Sequence, residues 1–478
     1  MCDYLGLSKS VSYQVLSTCI INIINLSHGA ALGWVSPFLP LLQSDDSPLE
    51  TGPISVEQGS WIGSILCLGG LAGAVIYGYL AATLGVKKSI ICIIIPNMGF
   101  WLIVLFGTSV YHLYIARFLE GAAGCGVIVT FPLFIADISE SRIRGVLGSV
   151  LALTGNSGIL LMYIIGDCLP YRTVPLVMMT LPIAFLIAMN FIPETPQSLL
   201  RQRKIEDARR SLMFYRGVKH HPDNTAEIKL EFEQMKTFIL AAKVDSHRIS
   251  LKDFSSPAAI RGISVGIFLM FLNQFCGVFA ILTYAVSIFS ESGSKLDPGT
   301  SAIIMGAIQI FGTVASFIFI DLAGRKILLV VSTLGTGLGL TSLGMFAWLV
   351  SHGSDLSNFD WIPIVSLSAT VFMFCVGLCS IPFFVLPEML PAKICNAGNA
   401  ISMIAVSIFS FITVKWLKMS GQTNHHQVER LVEPMKANVN IARGICGSSS
   451  NRIPVTEKWK EFTVELNALR PSMRLSSE

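Results

Sequence analysis

The sequence has few charged residues, and this scarcity limits the class of protein it can encode. Only 13% of its 478 residues are charged, whereas soluble domains carry roughly 25%. Hydrophobic residues make up 52% of the chain and the mean hydropathy is +0.64. A single soluble core is therefore excluded. The net charge of +4 is too small to indicate a nucleic-acid partner.

The sequence also lacks the side-chain arrangements typical of enzymes and metalloproteins. None of its eleven cysteines forms a CxxC pair, so neither a disulfide framework nor a zinc site is predicted. No cluster of metal-ligand residues and no nucleophile–base arrangement is present. We therefore expect no enzymatic activity, no metal and no cofactor.

Long apolar runs are what the sequence does contain. A transmembrane helix needs about 20 apolar residues, and eleven runs approach or exceed this length. They lie near 11–40, 58–82, 89–108, 110–135, 145–168, 174–192, 262–289, 300–320, 326–350, 361–387 and 397–415. We number them spans 1 to 11. They predict an all-α membrane protein surrounded by the lipid bilayer.

The order of these runs predicts the domain organisation. Residues 1–192 form an N-terminal six-helix bundle, and residues 193–257 form a cytoplasmic loop with short helices. Residues 258–416 form a C-terminal bundle, which is incomplete because no twelfth apolar run follows span 11. Residues 417–478 form an atypical polar tail.

Charge placement predicts the orientation in the membrane. Basic residues lie in the loops after spans 2, 4, 8 and 10 and in the segment 193–257, whereas acidic residues dominate the alternate loops. Cytoplasmic loops carry an excess of Lys and Arg. The N-terminus and the central segment are therefore predicted to lie in the cytoplasm. The basic loops also recur six spans apart, which predicts two parallel bundles like those of transporters with a midplane site.

Small residues recur four apart within several spans. The pairs Gly69/Gly73 and Gly29/Gly33 have the spacing that lets helix backbones approach closely. The run from Gly335 to Leu340 is glycine-rich but follows no strand. We therefore predict close helix packing there, and not a dinucleotide-binding turn.

Polar residues stand out within span 7. The stretch Phe271–Tyr284 contains the adjacent amides Asn273 and Gln274, followed by Gly277. Polar groups at membrane depth tend to face a cavity or a neighbouring helix. Amides both donate and accept hydrogen bonds, which suits a ligand rich in hydroxyls. The alternative is that both amides only hold helices together.

These motifs, in their order, resemble the sugar porter family of the major facilitator superfamily, and within it the insect facilitated trehalose transporters. The resemblance covers about Gly29 to Lys415. It rests on G-W-V-S-P-F-L-P at 33–40, S-W-I-G-S at 60–64, Arg117 with Gly121, P-E-T-P at 193–196, D-x-x-G-R-K at 321–326, and Pro382 with Glu388 and Pro391.

The resemblance implies which side chains contact a sugar. Asn273, Gln274, Gly277, Gln309 and Phe383 match the substrate-binding positions, and Tyr284 matches an extracellular gate. The sequence departs from the family at several of these positions: Asn273 replaces a glutamine, Phe279 an asparagine, Phe383 a tryptophan and Ala152 a glutamine. These departures imply an altered site.

The resemblance also implies a cytoplasmic gate built from inter-helix ion pairs. Its residues are Arg117, Asp137, Arg144, Glu194, Asp321, Arg325 and Glu388. Several usual members of this gate are replaced, by Ala82 and Thr83 in the first half and by Cys395 and Asn396 in the second. We expect a looser gate.

The function implied is facilitative transport of a sugar, trehalose or a hexose, by a monomeric multi-pass protein of the plasma membrane that works by alternating access. Proton-coupled relatives carry an aspartate in span 1, where the nearest titratable residue here is His28. Proton symport is therefore disfavoured. Because the twelfth span is missing, a non-transporting sugar sensor or a defective isoform stands as the alternative.

Overall fold

The structure is a computed structural model that describes residues 9–140, 142–218, 225–244, 254–291, 296–352, 359, 361–390, 398 and 401–415. Within these residues, nine helices are long and apolar enough to cross a membrane, and two shorter apolar helices, Thr173–Met189 and Ile401–Lys415, complete the series. They coincide with the eleven predicted spans. The predicted tail, 417–478, lies outside the described residues.

The helices have the following bounds. Span 1 comprises Lys9–Gly33 and Val35–Gln43, span 2 Val56–Thr83, span 3 Val86–Cys92 and Ile94–Phe106, span 4 Val110–Ile138, span 5 Arg144–Cys168, and span 6 Thr173–Met178 and Thr180–Met189. The central segment holds Pro196–Arg201, Ile205–Tyr215 and Thr225–Val244. Span 7 comprises Pro257–Phe275, Val278–Thr283 and Ala285–Glu291, span 8 Pro298–Ala323, span 9 Arg325–Ser351, span 10 Ile362–Met373, a π-helical turn Phe374–Leu378 and Ile381–Met389, and span 11 Ile401–Lys415.

A shared sequence signal starts three of these helices. Thr195, Ser256 and Asp297 each precede a proline, and each side chain accepts a hydrogen bond from the backbone N–H three residues later. The cap satisfies a helix N–H that has no intrahelical partner, and proline suits the first helical position because its own N–H is missing.

Glycines set the packing of the N-terminal bundle. A Cβ built on Gly69 would lie 1.9 Å from the carbonyl oxygen of Phe118, and one on Gly73 would lie 2.5 Å from that of Ala122. Spans 2 and 4 therefore touch backbone to backbone. A Cβ on Gly29 would lie 2.1 Å from the carbonyl oxygen of Gly155, so spans 1 and 5 do the same. The predicted close packing at both pairs of glycines is confirmed.

The glycine-rich run in span 9 is also a packing surface. A Cβ on Gly335 would meet the Met373 side chain at 2.6 Å, and one on Gly339 would meet the Thr370 hydroxyl at 2.3 Å. Both neighbours belong to span 10. The interpretation of this run as a helix contact is confirmed.

Two spans of the second bundle are interrupted where they meet. Span 7 breaks at Gly277, whose φ of +74° lies in the left-handed region that favours glycine. Span 10 contains the π-helical turn Phe374–Leu378, and Asn273 donates to the carbonyl oxygen of Leu378 at 2.7 Å. π-helical turns occur frequently at functional sites. The interruptions place the amides of span 7 against irregular backbone.

The central segment packs beneath the N-terminal bundle. Tyr215 is fully buried, and its hydroxyl donates to the carbonyl oxygen of Pro193 at 2.9 Å. Burial raises the pKa of Tyr215, with Glu194 and Asp137 adding to the effect, so the hydroxyl stays protonated and donates. Arg216 forms two hydrogen bonds with Glu231 and a third with the carbonyl oxygen of Ile138. The segment is thereby tied to the end of span 4.

Candidate functional site

The two bundles meet mainly on one side of the membrane. We call the face that carries the central segment the central-loop face, and the other the opposite face. The described hydrogen bonds and ring contacts between spans 1–6 and spans 7–11 lie at mid-depth or nearer the opposite face. Toward the central-loop face, Tyr79 of span 2 and Val146 of span 5 are 68% exposed, and a Cβ on Gly148 would meet open space. The junction is thus closed at the opposite face.

Spans 2, 7 and 11 form the closed junction. A Cβ on Gly63 would lie 2.2 Å from the Tyr284 hydroxyl and 3.2 Å from the Val414 side chain. Tyr284 is 1% exposed. It therefore fills the space between the bundles, which is where a gate residue must lie. One end of the junction is covered by Lys415, whose Nζ sits 3.1 Å above the Trp61 ring.

The two predicted amides of span 7 are buried together. Gln274 donates to the Asn273 side-chain oxygen at 2.8 Å, and Asn273 donates to the carbonyl oxygen of Leu378. The Oε1 atom of Gln274 is buried, and the described structure gives it no hydrogen-bond partner. Gly277, three residues on, makes the break that ends this helix. The structure therefore brings these three predicted residues into one place.

The predicted residue of span 8 joins the two bundles. Gln309 is 2% exposed and donates to the Asn156 side-chain oxygen at 2.9 Å, while Asn156 donates to the Thr313 hydroxyl at 2.7 Å. The Oε1 atom of Gln309 is also buried without a described partner. Sequence reasoning missed Asn156 and Thr313. The available signal was that Asn156 follows Ala152 by one helical turn, so both lie on the same face of span 5.

Phe383 lies in apolar surroundings. It packs with Ala259, Met270 and Leu390 in a cluster of spans 7 and 10. It lies five residues beyond Leu378, the residue whose carbonyl accepts from Asn273. The structure gives Phe383 no described contact with the predicted amides.

Three predicted gate residues converge at the central-loop end of the first bundle. Thr195 donates to the Asp137 carboxylate at 2.8 Å, and the Lys87 backbone N–H donates to the Glu194 carboxylate at 2.8 Å. Arg144 donates to Ser139. These described contacts are hydrogen bonds to neutral groups, and the expected inter-helix ion pairs stay a prediction. Glu194 lies at the N-terminus of span 3, where backbone N–H groups favour an anion.

Arg117, another predicted gate residue, lies at a different depth. Arg117 precedes Asp137 by 20 residues on the same helix, which corresponds to about 30 Å. It is 1% exposed and donates to the carbonyl oxygens of Ile62 and Ala31. The expectation that Arg117 contributes to a cytoplasmic gate is therefore corrected, because its depth in the bundle is different. Arg325 is exposed, and the side chains of Asp321 and Glu388 lie outside the described residues.

A buried polar cluster near Arg117 was not recognised from the sequence. His28 Nδ1 lies 2.5 Å from the Glu120 carboxylate, and Asn97 donates to the same carboxylate at 3.1 Å. Ser27 donates to Asn97, and Trp101 donates to Ser27. Glu120 is fully buried. The signal that was available is the acidic residue itself, since ionisable groups inside membrane spans are rare and mark function or specific pairing.

These groups define the chemistry that the interior offers. The Oε1 atoms of Gln274 and Gln309 are uncharged acceptors, and a hydroxyl-rich ligand can donate to both. Among the described residues no group of three or more His, Cys, Asp or Glu is arranged to hold a metal ion. Uncharged acceptors such as these two amide oxygens suit a neutral polar solute.

Comparison with known proteins identifies the family. The model of the family "Sugar (and other) transporter" matches residues 15–423. The chain is 30% identical over 391 residues to the facilitated trehalose transporter Tret1-2 homolog of Drosophila sechellia, covering 82% of this chain and 78% of that protein. It is 30% identical over 402 residues to facilitated trehalose transporter Tret1 of Apis mellifera ligustica, covering 84% and 78%.

Solved structures share the fold. The proton:xylose symporter XylE bound to 6-bromo-6-deoxy-D-glucose superposes with a TM-score of 0.68 at 20% identity, covering 88% of this chain and 91% of that one. XylE from E. coli in a partially occluded inward open conformation gives 0.67 at 18% identity, covering 85% and 93%. The chain has the major facilitator superfamily fold and belongs to the sugar transporter family.

Proposed function

We propose that this protein carries a sugar, trehalose or a hexose, down its concentration gradient across the membrane by alternating access. The observation that carries the proposal is the pair of buried amide oxygens, on Gln274 and Gln309, that the described structure leaves without a partner. Unpartnered polar atoms at this depth are costly unless a ligand satisfies them. Sugar hydroxyls are donors of the required kind.

We further propose that the protein acts as a monomer in the plasma membrane with its N-terminus in the cytoplasm. The excess of Lys and Arg on the central-loop face supports this orientation. In this orientation the junction at Gly63 and Tyr284 is extracellular, and the described conformation faces inward. The division into bundles 1–192 and 258–416 around the segment 193–257 is part of the same proposal.

Uptake into proteoliposomes tests the function. We expect wild-type protein to equilibrate labelled trehalose or glucose without an imposed gradient. Gln274→Ala is expected to lower uptake several-fold because it removes the acceptor. Gln234→Ala, an exposed residue of the central segment, serves as the matched control. Unchanged uptake by Gln274→Ala at normal reconstitution would remove Gln274 from the site.

The alternative is a sugar-binding protein that does not transport. Sugar-dependent protection of the protein without any flux in the same proteoliposomes would favour a sensor or a defective isoform. Flux that saturates with sugar concentration would exclude both.

One observation favours a proton-coupled mechanism as the second candidate. The contact of 2.5 Å between His28 and Glu120 places two ionisable side chains together inside the membrane, an arrangement that occurs in proton relays. Symport would be supported if an inward proton gradient drives sugar accumulation in the wild type. The same gradient should then have no effect in Glu120→Gln. If the sugar concentration inside the proteoliposomes rises only to the external concentration, facilitation is supported.

A further inference from the structure

A turn of the central segment presents exposed basic side chains. It is the stretch R-Q-R-K at 201–204, which joins the helix Pro196–Arg201 to the helix Ile205–Tyr215. The side chains of Arg203 and Lys204 are both exposed. Within the part of the chain that the structure describes, no hydrogen bond or ion pair engages either side chain. Their charges are therefore available to a partner.

This turn packs on the connection between spans 2 and 3. The side-chain nitrogen of Gln202 donates to the carbonyl oxygen of Leu84 at 3.2 Å, and a Cβ built on Gly85 would lie 3.1 Å from the same nitrogen. Lys88 follows Gly85 by three residues and is exposed as well. Because the connection joins two membrane-spanning helices, it lies at the membrane surface. We call the three exposed cations at this contact the basic patch: Lys88, Arg203 and Lys204.

The backbone holds Arg203 in a conformation that arginine rarely adopts. Its φ is +63°, and among the described residues all other positive values belong to glycines. The N–H of Arg203 donates to the carbonyl oxygen of Leu200, and that of Lys204 donates to the carbonyl oxygen of Leu199, each at 3.0 Å. This is the Schellman ending of a helix, in which glycine usually takes the position of Arg203. Helix termination alone favours glycine, so it does not explain the arginine.

The neighbouring charges leave the basic patch positive. Arg201 is attracted to Asp137 within the protein, and Lys87 bonds to a backbone carbonyl oxygen. Two acidic residues, Glu206 and Asp207, follow the turn, but they lie in the first turn of the next helix. Backbone N–H groups at a helix N-terminus stabilise negative charge. These carboxylates therefore already have a favourable environment without the patch.

We propose that the basic patch binds the head group of an anionic phospholipid in the leaflet at the central-loop face. Lys and Arg side chains near a membrane surface attract anionic lipids. The exposed apolar side chains of Leu84 and Ile205 adjoin the patch, and their burial against acyl chains is favourable. A phospholipid offers both a negative head group and an apolar body, whereas a free anion offers only the charge. Binding to both segments of the patch would hold the central segment on span 3.

Thermal unfolding of the full chain in a neutral detergent, with increasing phosphatidylserine, tests the inference. A ligand that binds only the folded protein raises its unfolding temperature, so phosphatidylserine should raise it more than phosphatidylcholine does. In Arg203→Gly the half-maximal phosphatidylserine concentration should rise about fivefold, the contribution of one basic residue near anionic lipid. Without lipid, this variant should unfold at the wild-type temperature or above, because glycine suits the backbone there.

Two further variants show whether the effect belongs to the patch. Lys204→Gln combined with Arg203→Gly should raise the half-maximal concentration about 25-fold, if the two contributions add. Arg142→Gln is the matched control, because Arg142 is an exposed basic residue on the same face, in the turn between spans 4 and 5. It should change the half-maximal concentration by less than about twofold.

Four results would overturn the inference. The first is an equal effect of phosphatidylserine and phosphatidylcholine on the wild type, and the second is an unchanged response of the double variant. The third is an effect of Arg142→Gln as large as that of Arg203→Gly, which would indicate diffuse attraction to the whole face. The fourth is an equal rise of the unfolding temperature with inorganic phosphate, which would indicate a site for free anions.

Discussion

The sulfur of Cys67 in span 2 lies 3.3 Å from the hydroxyl oxygen of Ser410 in span 11. Both residues are buried, and the two spans belong to different bundles. This contact is near the closed end of the junction, on the same side as the contact of Gly63 with Tyr284. Any conformation that opens the opposite face has to separate these two atoms.

A cysteine at position 410 is therefore expected to lock the protein. In Ser410→Cys, oxidation with copper phenanthroline should form a disulfide to Cys67 and abolish sugar flux, because the ends of the two side chains already lie 3.3 Å apart. A reductant should restore flux. Ser410→Cys combined with Cys67→Ser is the control, and inhibition that persists in it would contradict the expected pairing.

Gly63 is expected to tolerate no side chain while the junction is closed. A Cβ there would overlap the Tyr284 hydroxyl at 2.2 Å and Cζ at 2.9 Å, so Gly63→Ala should hold the opposite face open and reduce the transport rate. Tyr284→Phe removes the nearer atom, and the double variant should recover part of the rate. Equal rates for Gly63→Ala and the wild type would show that the bundles do not close here. Gly78, whose added Cβ would meet open space, provides the control as Gly78→Ala.

Glu120→Gln is expected to destabilise the N-terminal bundle. The Glu120 carboxylate interacts electrostatically with the buried Arg117 and bonds to His28. Breaking a buried ionic group by removing one partner costs about 3–5 kcal/mol. Thermal unfolding in detergent measures the loss. Glu233→Gln, which breaks an exposed pair with Lys236, should change stability by about 1 kcal/mol or less. Equal unfolding of the two variants would contradict the assigned role of Glu120.

Gly277→Ala is expected to impair the protein through its backbone. The φ of +74° costs an L-residue with a Cβ about 1–2 kcal/mol. Gly277→Asn should be milder, since asparagine tolerates this region better than alanine. Both effects are measured as thermal stability and as uptake. An alanine variant as stable as the wild type would mean that span 7 is continuous at this position.

The spans and the two bundles were predictable because the thickness of the bilayer sets the length of an apolar helix. The excess of basic residues in the cytoplasmic loops then sets the orientation of each span. The amides Asn273 and Gln274 were predictable for a related reason, because polar residues inside an apolar run indicate a cavity or a helix contact. The roles of Arg117 and of Asn156 were not. The predicted bounds of span 4 already separate Arg117 from Asp137, but the partners of Arg117, the carbonyl oxygens of Ile62 and Ala31, belong to other spans. Asn156 gains its meaning from Gln309, 153 residues away.

The buried cluster around His28 illustrates the same limit. The sequence separates His28 from Glu120 by 92 residues, and the periodicity of either span says nothing about which faces meet. Only the close packing of span 1 on span 4 brings them together. A Cβ on Gly124 would lie 2.2 Å from the His28 ring. Gly124 therefore makes room for the imidazole, although no pattern in the sequence distinguishes it from the other glycines of span 4.

The backbone contact between spans 2 and 4 has a mechanical consequence. Because the carbonyl oxygen of Phe118 fills the space that a side chain on Gly69 would need, the two helices are in direct backbone contact. We expect the pair to move as one rigid unit, so that the two ends of span 2, Val56 and Thr83, are displaced at the same time.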